Sequence, residues 1–296
     1  MRRPRPIQPR PRPGGQDLSR DPSHPISRTG LRRLRLDLGF LGSSYRGWQV
    51  QSRGITVQGL MDEAFKRIDH RGGKILGCSR TDSGVHALRF SAHLDTGLVR
   101  PLPAILKGLN ANLPSDVRVF RVGWAPTDFH ARYASTGKAY RYHLYLGPVV
   151  PPALHPFVWQ WQGELDARAM ESAASAMVGE HDFAAFTTAD GREKNTRRTI
   201  TECRWERRGD LLVLHVSGPS FLHRMVRCIA GLLVAVGGGR LGEVGDVAYA
   251  LTGALDGPQI PALPAQGLTL WSVNYPESME PVESYGGFPE EPMFPV

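Results

Sequence analysis

The segment from Cys78 to Leu88, CSRTDSGVHAL, holds three side chains that can do chemistry: the guanidinium of Arg80, the carboxylate of Asp82 and the imidazole of His86. The simplest interpretation is structural. Asp-Ser-Gly favours a tight turn, because Asp bonds its own backbone and the glycine tolerates positive φ. Two chemical interpretations stand beside it: an aspartic protease dyad, and an aspartate nucleophile next to an arginine.

The protease interpretation rests on a second Asp-x-Gly sequence, Asp95-Thr96-Gly97. Aspartic proteases carry this motif twice, and their two carboxylates share one proton. Here the two aspartates are 13 residues apart, whereas each protease loop belongs to a separate lobe or subunit. Arg80 also stands where a dyad needs apolar flanks. The spacing therefore argues against a protease.

The nucleophile interpretation fits the company of Asp82 better. A nearby arginine favours the charged form of a carboxylate, and a carboxylate nucleophile attacks best when it is anionic and desolvated. Attack on a sugar anomeric carbon or on an electron-poor pyrimidine ring needs such a group. The sequence therefore favours an aspartate nucleophile.

The charge distribution indicates a polyanionic partner. The chain carries +8 over 296 residues, with +5 in residues 1–30 and −4 in residues 279–296, which leaves +7 between them. A basic excess in the folded part is typical of nucleic-acid binding, with RNA or DNA as the leading partners. The alternative is a feature that serves only solubility.

Several classes of protein are disfavoured by composition. No apolar run reaches the ~18 residues of a membrane span, and no apolar stretch follows the basic N-terminus as in a signal peptide. Seven prolines in residues 1–30 argue against the amphipathic helix of a mitochondrial transit peptide. Three cysteines without a CxxC pair argue against a disulfide framework and against a zinc site, so we expect a reducing cytoplasm.

Hydrophobic periodicity predicts an α+β fold with mainly antiparallel or mixed sheets flanked by helices. Leucines alternate with charged residues from Arg33 to Phe40, which predicts a strand, and Thr56 can cap a helix that follows it. We also predict a strand over Lys138–Leu146 and an apolar helix over Phe221–Val236. Four regions are predicted: a disordered Pro/Arg-rich arm (1–30), a catalytic subdomain (31–147), a C-terminal subdomain (148–278) and an acidic tail (279–296).

Eight blocks of the chain, in the same order, resemble those of TruA-type tRNA pseudouridine synthases. The central motif of that family is GRTDAGVHA, and this chain has SRTDSGVHA at residues 79–87. The other blocks span about residues 34 to 276: YRGWQVQ (45–51), LNANLP (109–114), DFHAR (128–132), KAYRY (138–142), GEHDF (179–183), FLHRMVR (221–227) and Gly267-Leu268. Ser79 and Ser83 depart from the usual glycine and alanine, and we expect Ser83 to add a hydrogen bond.

The resemblance implies roles for five residues. Asp82 matches the nucleophile of the family, and Arg227 matches the arginine that pairs with it. Tyr140 matches the tyrosine that stacks on the target uracil, and Leu268 matches an apolar residue beside that base. Arg80 matches an arginine thought to help displace the base.

Basic residues in the same blocks are candidates for RNA phosphate contacts: Lys138, Arg141, Arg132 and Arg224. For His86 we prefer a structural role, in which the imidazole holds the loop. Arg224 stands where the family often has histidine.

The implied function is isomerisation of uridine to pseudouridine at positions 38–40 of the tRNA anticodon stem-loop, on a pseudouridine-synthase fold with two subdomains and a central basic cleft. The resemblance also implies a homodimer, with no cofactor and no metal. Whether Asp82 attacks C6 of the base or C1′ of the ribose stays open. The alternatives are a synthase of the same fold with a different RNA target, and a non-catalytic RNA-binding protein.

Overall fold

The computed structural model describes residues 30–71, 73–187, 195–239, 247–252 and 260–289. The predicted arm, apart from Gly30, lies outside these ranges. The described residues form twelve strands: β1 Arg32–Phe40, β2 Leu76–Gly77, β3 His86–Thr96, β4 Val117–Ala125, β5 Gly137–Tyr145, β6 Trp159–Gln160, β7 Gly179–Asp182, β8 Arg197–Ile200, β9 Glu202–Arg208, β10 Leu211–Gly218, β11 Leu268–Asn274 and β12 Glu283–Gly286. They also form five α-helices: α1 Val57–Ile68, α2 Leu102–Ala111, α3 Ala167–Ala176, α4 Met225–Gly237 and α5 Val247–Ala250.

Ten of these strands build one mixed sheet. Its order is β12-β4-β1-β3-β11-β5-β10-β9, with β2 added to β3 and β6 added to β5. Most neighbours are antiparallel, whereas β11 runs parallel to β3 and β6 runs parallel to β5. Strands β7 and β8 form a separate pair. The predicted α+β class, with a mixed sheet and flanking helices, is confirmed.

Helices cover the sheet in two groups. Helix α1 packs on α2 and α2 on β4, whereas α3 packs on α4 and β9 and α4 on β5. Thr56 caps α1 as predicted, since its side chain accepts a hydrogen bond from the backbone N–H of Gly59. One continuous core of buried apolar side chains joins both groups.

The same sheet crosses both predicted subdomains. Strand β11, from the C-terminal region, lies between β3 and β5 of the N-terminal region and hydrogen-bonds to both. This insertion brings the loop before β3 close to the helix α4, which is distant in sequence. The subdomain boundary at 147 and 148 stays a prediction, and the region predicted as a tail contributes β12, which pairs with β4.

The charged face of β1 is buried, although charged side chains are ordinarily exposed. Arg35 and Asp37 are 4% and 1% exposed, and Arg35 donates to Asp37 and to Glu280 at 2.9 Å each. Arg121 also donates to Asp37, at 2.6 Å. Buried charges are tolerated when they are paired in this way. The pairing also holds the segment that carries Glu280 against the strand.

The apolar helix begins later than the sequence predicts. It starts at Met225 and not at Phe221, because Arg224 takes a left-handed conformation with φ of 61°. Residues 221–223 therefore form an irregular segment, closed by a hydrogen bond from the N–H of Met225 to the carbonyl of Leu222. Apolar side chains continue through the break, so periodicity alone does not reveal it. None of the helices in the described part of the chain is long and apolar enough to cross a membrane.

Candidate active site

The loop that carries Asp82 joins β2 to β3 and is a turn, as its sequence predicts. The N–H of Val85 donates to the carbonyl of Asp82 at 3.2 Å, and Gly84 has φ of +85°, which suits glycine. Ser83 makes the expected additional bond, from its hydroxyl to the carbonyl of Tyr45 at 3.1 Å. The turn thus presents the Asp82 side chain and fixes its backbone.

The segment Tyr45–Gln51 packs against this turn and hydrogen-bonds to its backbone. Trp48 donates its backbone N–H to the carbonyl of Thr81, and the N–H of Gly84 donates to the carbonyl of Tyr45. A Cβ at Gly47 would lie 2.3 Å from the carbonyl oxygen of Thr81, so only glycine allows this approach. The YRGWQVQ block therefore supports the turn through backbone contacts.

Two cationic or polar side chains hold the Asp82 carboxylate. Arg227, from the first turn of α4, places Nη1 2.7 Å from Asp82 Oδ2. His223 places Nε2 3.2 Å from Asp82 Oδ1. The side chains of Asp82 and Arg227 are each 14% exposed, so the ion pair lies largely out of water and the carboxylate keeps one edge toward the cleft.

Asp82 opens into a cleft of about 760 Å³. Asp82 is the single carboxylate among the described residues that line the cleft. Five basic side chains line it as well: Arg46, Arg80, Arg132, Lys138 and Arg224. This excess of positive charge suits a phosphate backbone. The predicted central basic cleft is therefore present, with Arg80 and Arg224 exposed at its surface.

Tyr140 and Leu268 form an apolar wall of the cleft. They lie on neighbouring strands, since β5 and β11 pair with Leu270 opposite Tyr140. Phe221 meets Tyr140 edge to face at 5.1 Å, and the Tyr140 hydroxyl lies 3.1 Å from Ser79 Oγ. Burial raises the pKa of Tyr140 far above its ordinary value, so the phenol stays protonated near neutral pH.

Lys138 is buried beneath the cleft. Its Nζ donates to Ser135 Oγ at 3.1 Å, and burial lowers the pKa of Lys138. Arg132 lies at the surface nearby and lines the same cleft.

Two predicted site residues do not line this cleft. Arg227 nevertheless contacts Asp82, whereas Arg141 lies away from the site. Neighbours along a strand point to opposite faces, so Arg141 lies on the far side of β5 from Tyr140. There its guanidinium stacks over the ring of Trp271, 3.4 Å from the centroid.

His86 occupies a structural position, as we prefer from the sequence. It is fully buried, its Nδ1 accepts from the N–H of Gly42 at 3.0 Å, and its Nε2 donates to the carbonyl of Pro156 at 2.9 Å. Burial lowers the pKa of His86, which keeps the ring neutral. It ties the start of β3 to two distant loops.

His223 is the site residue that the sequence analysis missed. It belongs to the FLHRMVR block and stands four residues before Arg227, a spacing that places two side chains on one face of a helix. That spacing was the available signal, although the segment proves irregular. Within the described residues, no three His, Cys, Asp or Glu side chains gather closely enough to hold a metal ion.

Comparison with known proteins agrees with this geometry. A model of the family described as tRNA pseudouridine synthase matches residues 173–276. The tRNA pseudouridine synthase A of Geobacter sp. strain M21 is 41% identical over 83% of this chain and 100% of its own length. The chain belongs to the tRNA pseudouridine synthase family. The enzyme of the same name from Chloroflexus aurantiacus is 38% identical over 84% of this chain and 91% of its own length, and that from Pseudomonas aeruginosa is 36% identical over 87% and 90%.

Membership of the tRNA pseudouridine synthase family confirms the resemblance carried by the motifs. The matched region of the family model, 173–276, includes Arg227 and Leu268 but not Asp82 or Tyr140, whereas the whole-length relatives cover both halves. The individual roles of these residues stay predictions.

Proposed function

We propose that this protein isomerises uridine to pseudouridine in tRNA, at positions 38–40 of the anticodon stem-loop, with Asp82 as the nucleophile. The observation that carries the proposal is the carboxylate of Asp82, held by Arg227 at the floor of a basic cleft beside an aromatic wall. The printed names of the relatives support tRNA as the substrate.

The reaction conserves every atom of the substrate. The bond between C1′ and N1 breaks, the base turns, and a bond forms between C1′ and C5. The proton leaves C5 and N1 gains one, so no oxidant or reductant takes part. Attack by Asp82 at C6 or at C1′ gives the same product, and both fit this balance.

Each predicted side chain has a task in this scheme. Asp82 acts as a nucleophile in its ionised form. The guanidinium of Arg227 stabilises this negative charge through a charge-assisted hydrogen bond. Tyr140 offers a ring to the uracil that has left its stack, and Leu268 closes the pocket beside it. Arg80 lies exposed at the mouth of the cleft, where it can occupy the space that the base vacates.

Phosphate contacts complete the substrate interaction. We assign them to Arg132, Arg224 and Lys138, which line the cleft, and keep Arg141 as a candidate for a contact on the other face of the sheet. A non-catalytic RNA-binding protein would not need both Asp82 and Arg227, and both are present.

We further propose that the protein acts as a homodimer in the cytoplasm. The dimer rests on the family resemblance, and sedimentation equilibrium measures it directly. The compartment is supported by Cys78, Cys203 and Cys228, which are all buried and unpaired with one another.

The decisive test of the substrate is pseudouridine mapping on unmodified tRNA transcripts incubated with the protein. We expect pseudouridine wherever uridine occupies positions 38, 39 or 40. Modification at other positions would contradict the target while keeping the enzyme class. No pseudouridine in any RNA would contradict the proposed function itself.

A further inference from the structure

A second, smaller cavity adjoins the active-site cleft. Its volume is about 290 Å³, near the lower limit of roughly 300 Å³ for ligand pockets. The two cavities share four lining residues: Gln49, Ser79, Arg80 and Arg132. An RNA strand that places one nucleotide in the cleft can therefore place the adjacent nucleotide in the second cavity.

The chemistry of the second cavity suits a nucleotide. Three cations are among its described lining residues: Lys74, Arg80 and Arg132. The same lining includes two aromatic rings that are not fully buried, those of His130 and Tyr133, and no carboxylate. Aromatic faces that carry bases, combined with basic groups along the backbone, are how proteins bind single-stranded nucleic acid.

Tyr133 is the most prominent of these groups. Tyr133 is 75% exposed. Its ring lies against the ring of His130, with the two centroids 4.4 Å apart and the two planes inclined by 40°. The guanidinium of Arg132 lies 5.7 Å from the centroid of the Tyr133 ring. A large aromatic ring is thus supported by its neighbours while much of its surface meets solvent.

The loop beneath Tyr133 is held from inside the fold. Arg33 donates to the carbonyl of Phe129 at 2.6 Å. The N–H of Ala131 donates to His93 Nδ1 at 3.2 Å, and the hydroxyl of Tyr275 donates to the carbonyl of Ala131 at 2.6 Å. The exposed groups of this loop are therefore positioned before any ligand arrives, which reduces the entropy lost on binding.

His130 fixes the last part of the loop. Its Nδ1 accepts the backbone N–H groups of Arg132 and Tyr133, at 3.1 and 3.3 Å. Burial lowers the pKa of His130, with Arg33 adding to the effect, and the neutral ring is the form that accepts these bonds. The ring of Tyr133 thus rests on a side chain that also anchors its backbone.

We propose that the second cavity binds the nucleotide next to the target uridine, with its base stacked on Tyr133 and its phosphate held by Lys74 and Arg132. The inference rests on the proposed function, because it requires RNA in the cleft. It adds a base-binding platform that the residue assignments above do not contain.

The test uses the full chain and short RNA stem-loops that carry the target uridine. One stem-loop is intact, and two others have a single abasic nucleotide on the 5′ or the 3′ side of the target. Binding is measured for the wild type, Tyr133→Ala, Tyr133→Phe and the control Tyr249→Ala, which removes a tyrosine that is 49% exposed outside both cavities.

We expect Tyr133→Ala to weaken binding of intact RNA about tenfold, within the range for one stacked base. Tyr133→Phe and Tyr249→Ala should bind within twofold of the wild type. An abasic nucleotide on one side of the target should weaken the wild type by a similar factor and cause no further loss in Tyr133→Ala, because both changes remove the same contact. Lys74→Ala should reduce the slope of log affinity against log salt by about 0.7.

Two results would overturn the inference. Either Tyr133→Ala binds like the wild type, or its loss multiplies with the loss from each abasic nucleotide, which would mean that the ring and the base do not meet. A protein partner at Tyr133 would give the first result. Failure of the proposed function is distinguishable, because the wild type would then leave the target uridine unmodified in the intact stem-loop.

Discussion

Arg227 Nη1 lies 2.7 Å from Asp82 Oδ2, although 145 residues separate the two in the chain. The same guanidinium donates its Nε to the carbonyl of Leu263, also at 2.7 Å. The guanidinium is therefore fixed by two acceptors, and it in turn fixes the position of the Asp82 carboxylate. This pair connects the loop before β3 to the first turn of α4.

Replacing Arg227 tests this pair. Arg227→Gln leaves a largely buried carboxylate without its cation, so we expect the single-turnover rate to fall at least a hundredfold and the free energy of unfolding to fall by about 3 kcal/mol. Arg227→Lys should lose less, because the charge remains while the second hydrogen bond is lost. Isomerisation assays and urea denaturation measure the two quantities.

A matched control exists on the surface. Arg197 pairs with Glu180 at 2.9 Å, with both side chains more than half exposed. Because exposed pairs contribute about 0–1 kcal/mol, Arg197→Gln should change neither stability nor rate appreciably. Equal effects of the two substitutions would contradict a special role for the Arg227 pair.

His223 provides the second contact to Asp82, and its side chain is 40% exposed. We expect His223→Ala to lower the rate about tenfold, less than Arg227→Gln, because a polar contact with a charged group is lost. His223→Gln, whose amide N–H can donate to Oδ1, should recover part of the rate. Single-turnover rates that match the wild type in His223→Ala would show that this contact has no part in the reaction.

Tyr140 is expected to act through its ring. Tyr140→Phe loses only the bond to Ser79, so RNA binding should change by no more than about 1 kcal/mol. Its rate profile should follow that of the wild type up to pH 9, because the raised pKa of Tyr140 keeps its hydroxyl protonated. Tyr140→Ala should bind much more weakly. Equal losses in the two variants would mean that the hydroxyl matters more than the ring.

Acid should weaken the fold through His93. Burial lowers the pKa of His93 to about 4 from its ordinary 6.5, with His130 and Arg33 adding to the effect. Since the folded-state pKa is the lower one, folding favours the neutral ring. The resulting stability is complete above pH 6.5 and is lost as the pH falls from 6.5 through 4.

The measurement is urea denaturation at pH 7, 5.5 and 4.5. His93→Asn keeps an acceptor for the N–H of Ala131 but cannot titrate. We expect this variant to be less stable at pH 7 and to lose less stability than the wild type between pH 7 and 4.5. Parallel losses in the two proteins would assign the acid sensitivity to other groups.

The sequence predicts the site well where local chemistry decides the structure. Asp-Ser-Gly predicts the turn at Asp82, and a guanidinium within an apolar helix predicts that Arg227 needs a carboxylate. Strand alternation also limits which residues of the KAYRY block can face the cleft, and the match to the family does not show this. Tyr140 and Arg141 are adjacent on β5, so they cannot both face one cleft, and only the structure shows which of them does.

Long-range contacts are the part that sequence patterns do not contain. The alternation in β1 predicts a strand, but it does not show that Arg35 pairs with Glu280, more than 240 residues away. Likewise, the left-handed conformation of Arg224 interrupts an apolar run and directs His223 to Asp82. Neither feature leaves a periodic signal, because each depends on the partner that the fold supplies.

The two Asp-x-Gly sequences offer a direct test of the central claim, that Asp82 is the nucleophile. Asp95 is also paired with an arginine, since Arg33 contacts both its carboxylate oxygens at 2.8 Å, but it does not line the cleft. Pseudouridine formation in tRNA should be measured for Asp82→Ala and Asp95→Ala under single-turnover conditions. We expect no detectable product from Asp82→Ala, with RNA binding retained, and nearly wild-type product from Asp95→Ala. Pseudouridine formed by Asp82→Ala would contradict the account.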